Sequence, residues 1–283
     1  IGHNLLSIRG ELKQSIQPLN INNKYIISFN GEIYNTEDII NKFNLDKSPN
    51  DTNVIQQLVK KIGKNFIDHI EGMYAIILFD IDNDEVSIFR DHSGQKNIYY
   101  YKSNFGIVLS SELLPISKIE SFKSEVDYDH IHQSLSIGHS CSERTIFKKI
   151  KKLKPGQMIT FDSKGTIILN KISKKKNDEK FKNCNIFESI DETIKTHTFS
   201  KDKIGINLSS GLDSNIVLYH AIKHKSNIEA FSTYFEDVED NYNLDYFGAK
   251  KISNHYGIKF NQTSITKKNY EDMFSKSFTN IEE

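Results

Sequence analysis

From residue 185 onward the chain alternates helix-period and strand-period segments, and that alternation restricts the possible folds more than any other feature. NIFESIDETIKTH reads as helix, IGINL as strand, SNIVLYHAIKHK as helix, IEAFSTYF as strand, LDYFGAKKISNHYG as helix, IKFNQTSI as strand and YEDMFSKSF as helix. Strands joined through helices cannot pair as hairpins, so the expectation is a parallel, doubly wound α/β sheet. In such sheets ligands gather beyond the carboxyl ends of the strands, where strand order reverses. The stretch GINLSSGLDSNIVLYHAIK, Gly205 to Lys223, puts a run of small residues at one strand end, directly before a helix start. Backbone N–H groups at that corner suit an anion, and Ser, Gly and Asp are equally the ordinary residues of turns and N-caps.

The first part of the chain has another rhythm. KYIISF, YAIILFDI, EVSIFRD, NIYYYKS, GIVLSSE and GQMITFD are short, rich in β-branched and aromatic residues, and bounded by polar turn residues. Two helical patterns interrupt them. TEDIINKF has Asn35 as its N-cap with Glu37 and Asp38 in its first turn, and DTNVIQQLVKKIGKNFIDHI sets Val54, Ile55, Leu58 and Val59 on one face, with Gly63 closing its first part. Strands with a few covering helices imply an α+β layered domain. The Lys-rich KISKKKNDEKFKN, Lys171 to Asn183, reads as an interdomain linker. The expected organisation is a domain over 1–170, a linker over 171–184 and a second domain over 185–283, because 283 residues exceed one compact core.

Composition removes several function classes. Lys and Arg total 37 against 37 for Asp and Glu, which leaves no electrostatic footprint for nucleic acid or an anionic membrane. No run approaches the roughly 20 apolar residues that span a bilayer. Cys141 and Cys184 form neither a disulfide framework nor a metal-ligand spacing, which points to a reducing cytoplasm. His220 and His224 have the spacing of a helical metal pair, but with no acid beside them they read as a solvated helix face. Small-molecule chemistry is what remains. The chain opens at Ile1 inside an apolar pattern, and its last helical pattern (Tyr270, Met273, Phe274, Phe278, Ile281) meets no Gly or Pro stop, so truncation is expected at both ends.

The motif SSGLDS has neither the Lys of a kinase-type phosphate loop nor the spacing of a dinucleotide loop. It resembles the S-G-G-x-D-S loop of the N-type ATP pyrophosphatases, with Ser210 where that family has its first Gly. In the first part, Asn-Gly within ISFNGEIYN would alone read as a hairpin turn. Taken together and in order, GHNLLSI, QPL, FNGEIYN, NDTNVI, EGMYAIILFD, RDHSGQKNIYY, SSELLPI and RTIFKKIKKLKPGQ resemble the glutaminase domain of class II amidotransferases. The two domains in this order resemble the glutamine-hydrolysing asparagine synthetase family. That resemblance implies an α+β N-terminal nucleophile hydrolase sandwich followed by an α/β adenine-nucleotide hydrolase-like domain with a parallel sheet.

The resemblance also implies roles. Asn30 and Gly31 would form the oxyanion hole, a tight glycine turn presenting an N–H beside an amide side chain. Asn30, Gly31, Glu32 and Asp51 would bind glutamine, Asp51 facing its ammonium group. ATP would lie against Leu208, Ser209, Ser210, Gly211, Asp213 and Ser214, with Thr233 beside the adenine and Asp213 acting through Mg²⁺. Three positions depart from the family. Leu5 stands where the family has the arginine that receives the glutamine carboxylate, a contact Leu cannot make, and Arg9 lies on the same strand face. Ser210 would crowd a phosphate or need an unfavourable φ. The family's nucleophilic N-terminal cysteine is not among these residues, and neither Cys141 nor Cys184 falls at a catalytic position of the family. The implied chemistry is glutamine-dependent, ATP-driven amidation of a carboxylate through an acyl-adenylate. Aspartate is the default acceptor, with sugar or peptide carboxylates as alternatives, and a homodimer stays open. The rival expectation is a non-catalytic, nucleotide-binding regulatory relative.

Overall fold

The computed structural model describes residues 1–4, 15–48, 50–120, 122–139, 142–172, 185–198 and 203–277. Leu5, Arg9, Cys141, Cys184, Phe278, Ile281 and linker residues 173–184 lie outside them. The chain divides into two compact units, with the boundary between Lys176 and Asn177.

The first unit begins with β1 (Leu19–Ile21) and β2 (Tyr25–Ile33), then α1 (Thr36–Phe43) and α2 (Asp51–Ile62), which tightens into a 3₁₀ segment, Gly63–His69. There follow β3 (Gly72–Asp80), β4 (Glu85–Arg90), β5 (Tyr99–Ser103), β6 (Gly106–Ser110), α3 (Leu113–Ser117), α4 (Tyr128–Ile137), β7 (Ile150–Lys152), β8 (Gln157–Phe161) and β9 (Ile167–Ile172). The strands form a six-stranded antiparallel sheet, β1-β2-β3-β4-β8-β9, and a three-stranded one, β6-β5-β7.

Strand alternation turns these sheets into layers. Along β3, Tyr74, Ile76 and Leu78 join Val54, Ile55 and Leu58 of α2 in one core, whereas Ala75 and Ile77 join Ile98, just before β5, and Tyr100 and Ile107 of the small sheet in another. Along β5, Tyr99 and Tyr101 point the other way, onto Leu113 and Ile116 of α3. The result is four layers: helix, large sheet, small sheet, helix. This is the expected α+β sandwich, and the helical face Val54, Ile55, Leu58 and Val59 is fully buried.

Four local expectations change. Asn30-Gly31 is no turn: β2 runs through it, with Asn30 opposite Ala75 and Gly31 opposite Tyr74. Asn35 precedes α1 without capping it, because its side chain instead accepts from Glu71 N–H and donates to the His69 carbonyl. Strand β9 extends to Ile172, past the residue at which the linker was expected to begin. Helix α4 was not foreseen, although Asp127 caps it through His130 N–H and Gly138 ends it.

The second unit comprises α5 (Ile186–His197), β10 (Ile204–Asn207), α6 (Leu212–His224), β11 (Ile228–Phe235), a 3₁₀ turn at Asp240–Asn243, α7 (Leu244–Tyr256), β12 (Lys259–Ile265) and α8 (Lys267–Ser277). All three strands are parallel, as the alternation requires. Their order is β10-β11-β12, so both crossovers step the same way and no reversal occurs among the described residues. The anion argument therefore rests on the loop's place at the carboxyl end of β10 and on the start of α6. Ile206, Leu208, Ile228 and Ala230 pack on Leu218 and Ala221 of α6 and Ala249 of α7. The opposite sheet face carries Asn207, Phe231 and Thr233, all exposed.

Candidate functional site

In the first unit the sites expected for glutamine cluster around the end of β2. Asn30 and Glu32 share one face of the strand, Asn30 exposed and Glu32 buried, with Gly31 between them. Gly31 has φ +154°, and a Cβ there would lie 2.0 Å from the Met73 carbonyl oxygen. Only glycine lets β2 and β3 approach so closely. Asp51, the first residue of α2, is buried, and its Oδ2 accepts from Ile33 N–H at 3.0 Å. The carboxylate therefore joins the end of β2 to the start of α2, and Asn50 caps that helix through Asn53 N–H. Tyr74, opposite Gly31, has its phenol pushed far up, by burial first and then by Asp91 and Asp68, so it stays protonated.

Gln17, in the QPL segment, supports β2. Its side-chain amide accepts from Phe29 N–H at 2.6 Å and donates to the Phe29 carbonyl at 3.1 Å, clamping β2 one residue before Asn30. RDHSGQKN proves to be architecture. Arg90 donates to the carbonyls of Lys96, Leu153 and Gly94 and to Asn97 Oδ1, and Asp91 accepts from Gln95 and Lys96 N–H.

In the second unit the SSGLDS motif is the loop between β10 and α6. Leu208 is buried and its N–H donates to the Phe231 carbonyl, continuing the ladder one residue beyond β10. Ser209 Oγ lies 3.0 Å from Ser214 Oγ and accepts from Gly211 N–H, and Asn215 Nδ2 donates to the Gly211 carbonyl. These bonds fold the loop back on the first turn of α6. Gly211 is the N-cap, and no side chain caps the helix. The first-turn N–H groups of a 13-residue helix thus open onto the loop, a donor set that fits a phosphate. Asp213 is exposed in that turn. Asn207 is in register with Phe231, so Thr233 stands two residues, about 7 Å, beyond the end of β10 and level with the loop. Among the described residues no group of three acidic, His or Cys side chains is disposed to hold a metal ion.

Ser210 behaves differently from expectation. It is not among the residues with positive φ, and its Cβ is received where α7 has Gly248. Its N–H and hydroxyl both donate to Asp245 Oδ1, at 3.1 and 2.5 Å. The hydroxyl first, then the N–H, holds the Asp245 carboxyl below the usual carboxylate range. Neither Asp245 nor Gly248 stood out in the sequence, because each acts on a loop 35 or more residues away.

The reading of His220 and His224 is also corrected. Asp191 of α5 reaches both, Oδ1 at 2.6 Å from His220 Nδ1 and Oδ2 at 3.1 Å from His224 Nε2, and His220 is buried. The pair belongs to a helix–helix contact and not to a solvated face.

Against known families, residues 1–172 match the glutamine amidotransferase domain and residues 185–283 the asparagine synthase domain. Asparagine synthetase [glutamine-hydrolyzing] 3 of Bacillus subtilis is 26% identical over 254 residues, covering 85% of this chain and 41% of that protein. Putative asparagine synthetase [glutamine-hydrolyzing] 2 of Methanocaldococcus jannaschii is 30% identical over 255 residues, covering 83% and 48%. The chain thus spans less than half the length of either relative. Among solved structures, glutamine phosphoribosylpyrophosphate amidotransferase from B. subtilis, complexed with ADP and GMP, covers 88% of this chain and 48% of its own at 14% identity and a TM-score of 0.39, too low to carry weight. No described helix is long and apolar enough to cross a membrane. On its two matched domains, in this order, the chain belongs to the enzyme family that joins a glutamine amidotransferase domain to an asparagine synthase domain.

Proposed function

We propose that the protein hydrolyses the side-chain amide of glutamine in its first unit and uses the ammonia in its second to amidate a carboxylate activated by ATP, with aspartate as acceptor and asparagine as product. The observation that carries this reading is the open start of α6 behind the SSGLDS loop, in a chain whose first unit matches a glutamine amidotransferase domain. In the first half-reaction, glutamine and water give glutamate and ammonia, with Asn30 and Gly31 donating to the tetrahedral oxyanion and Glu32 and Asp51 holding the amino acid. In the second, the acceptor carboxylate displaces pyrophosphate from ATP to form an acyl-adenylate, and ammonia expels AMP. Ser209, Gly211 and Ser214 shape the loop around the phosphates, Leu208 and Thr233 flank the adenine, and Asp213 contacts the Mg²⁺ that accompanies the nucleotide. The cytoplasm supplies every substrate of this scheme.

The family's nucleophilic N-terminal cysteine is not among these 283 residues, and Cys141 and Cys184 fall at no catalytic position of the family, so the chain by itself is expected to release no ammonia from glutamine. The test uses the complete protein with glutamine ¹⁵N-labelled at its side-chain amide, ATP, Mg²⁺ and aspartate. Labelled asparagine with AMP and pyrophosphate in equal amounts is expected. Turnover only with a sugar or peptide carboxylate would overturn aspartate as acceptor. ATP binding with no turnover on any carboxylate would replace the scheme by the regulatory reading.

A further inference from the structure

The loop at the start of α6 is fastened from outside itself. Ser210 gives both its donors to one oxygen of Asp245 in the first turn of α7. Three residues on, along the same helix face, stands Gly248. A Cβ on Gly248 would lie 2.5 Å from Ser210 Cβ and 3.2 Å from Ser210 Cα, the first closer than real packing allows. Glycine inside a helix is unfavourable relative to alanine, and here the space it leaves is taken up by Ser210. The start of α7 is itself anchored, because the Asn243 side chain pairs with both the N–H and the carbonyl of Phe235 at the end of β11. The carboxylate and the bare Cα are therefore held at a defined place beside the loop.

We propose that Ser210, Asp245 and Gly248 form one positioning unit that sets the shape of the Leu208–Ser214 loop, and that Gly248 is what makes a side chain at position 210 compatible with nucleotide binding. The proposal rests on the reading of this loop as the ATP site. With the Ser210 N–H engaged by Asp245, the phosphates are received by the first-turn N–H groups of α6. Ser210 and Gly248 then act as a matched pair: a loop that carries a Cβ needs a helix that lacks one.

The 283-residue chain and its Gly248→Ala, Ser210→Gly and doubly substituted forms test this, with ATP affinity read by calorimetry, melting read without nucleotide and Ser210 amide exchange read by NMR. Gly248→Ala is expected to weaken ATP binding about tenfold or more, an ordinary consequence of overpacking. Adding Ser210→Gly to it restores affinity to within about threefold of the parent, a coupling that independent sites do not show. Gly248→Ala with parental affinity and only a lower melting temperature overturns the unit, as does a double form as weak as Gly248→Ala. The exchange arm separates this proposal from the ATP reading. If the parent binds no ATP, that reading falls, while a Ser210 amide that exchanges slowly in the parent and about tenfold faster in Asp245→Ala still supports the unit. An unprotected Ser210 amide in the parent overturns it.

Discussion

Replacing Gly31 by Ala tests why β2 carries a glycine where the oxyanion donor is proposed. The added methyl would sit 2.0 Å from the Met73 carbonyl oxygen and 2.8 Å from Tyr74 Cα, both backbone atoms of the paired strand, so no side chain can turn aside to make room. The strands must part at the Gly31–Tyr74 and Glu32–Met73 pairs. Overpacking of this kind costs about 1–3 kcal/mol, and alanine at φ +154° adds about 1–2 kcal/mol. The sum, about 2–5 kcal/mol, corresponds to a fall in melting temperature on the order of 10 °C for a unit of this size. Differential scanning calorimetry should show that fall in the transition of the first unit, with the second unit's transition unmoved. A shift below about 2 °C would mean that β2 and β3 do not approach this closely and that glycine is there for another reason.

Gln17→Ala leaves the buried N–H and carbonyl of Phe29 without their amide partner, so chemical denaturation of the first unit should report a loss of about 2–4 kcal/mol. Glu229 has its carboxyl pushed down to about 2, by Lys259 first, then Lys203 and Asn261. A depressed carboxylate contributes stability that is present above its ordinary pKa of 4.5 and is lost as pH falls from there towards 2. Melting of the second unit should therefore lose part of its acid sensitivity in that window in Glu229→Gln, and an unchanged pH profile would place the lysines in solvent. Asp213→Ala should weaken Mg²⁺–ATP binding and leave binding of metal-free ATP unchanged, whereas equal affinities with and without metal would assign Asp213 to the helix start alone.

What the sequence displayed was local and periodic. The alternation after residue 185 foretold β10 through α8, and the apolar stripe of α2 named its buried face before any contact was known. Helix α4 escaped because His130 is its only buried residue while Tyr128, Leu135 and Ile137 point to solvent, so no apolar stripe marks it. Asn30-Gly31 suggested a turn because local chemistry favours one, yet pairing with β3 along nine residues outweighs it. The candidate site was legible as a motif and not as a mechanism of support. Gln17 on Phe29, Asp191 between two histidines, and Asp245 with Gly248 beneath Ser210 are pairs separated by 12 to 38 residues, and no window of sequence contains both partners. The strand order β10-β11-β12 was equally hidden, since alternation requires parallel pairing but leaves the direction of each crossover undetermined.

The central claim is that the start of α6 receives the phosphates of ATP. Titration of the ¹⁵N-labelled chain with ATP at millimolar concentration measures it directly, through the backbone amides of Leu208 to Ser214. The account predicts saturable shifts concentrated on Gly211 to Ser214 and a smaller one at Thr233, all reproduced in part by pyrophosphate alone. A folded chain whose amides at these positions do not move with either ligand would contradict it.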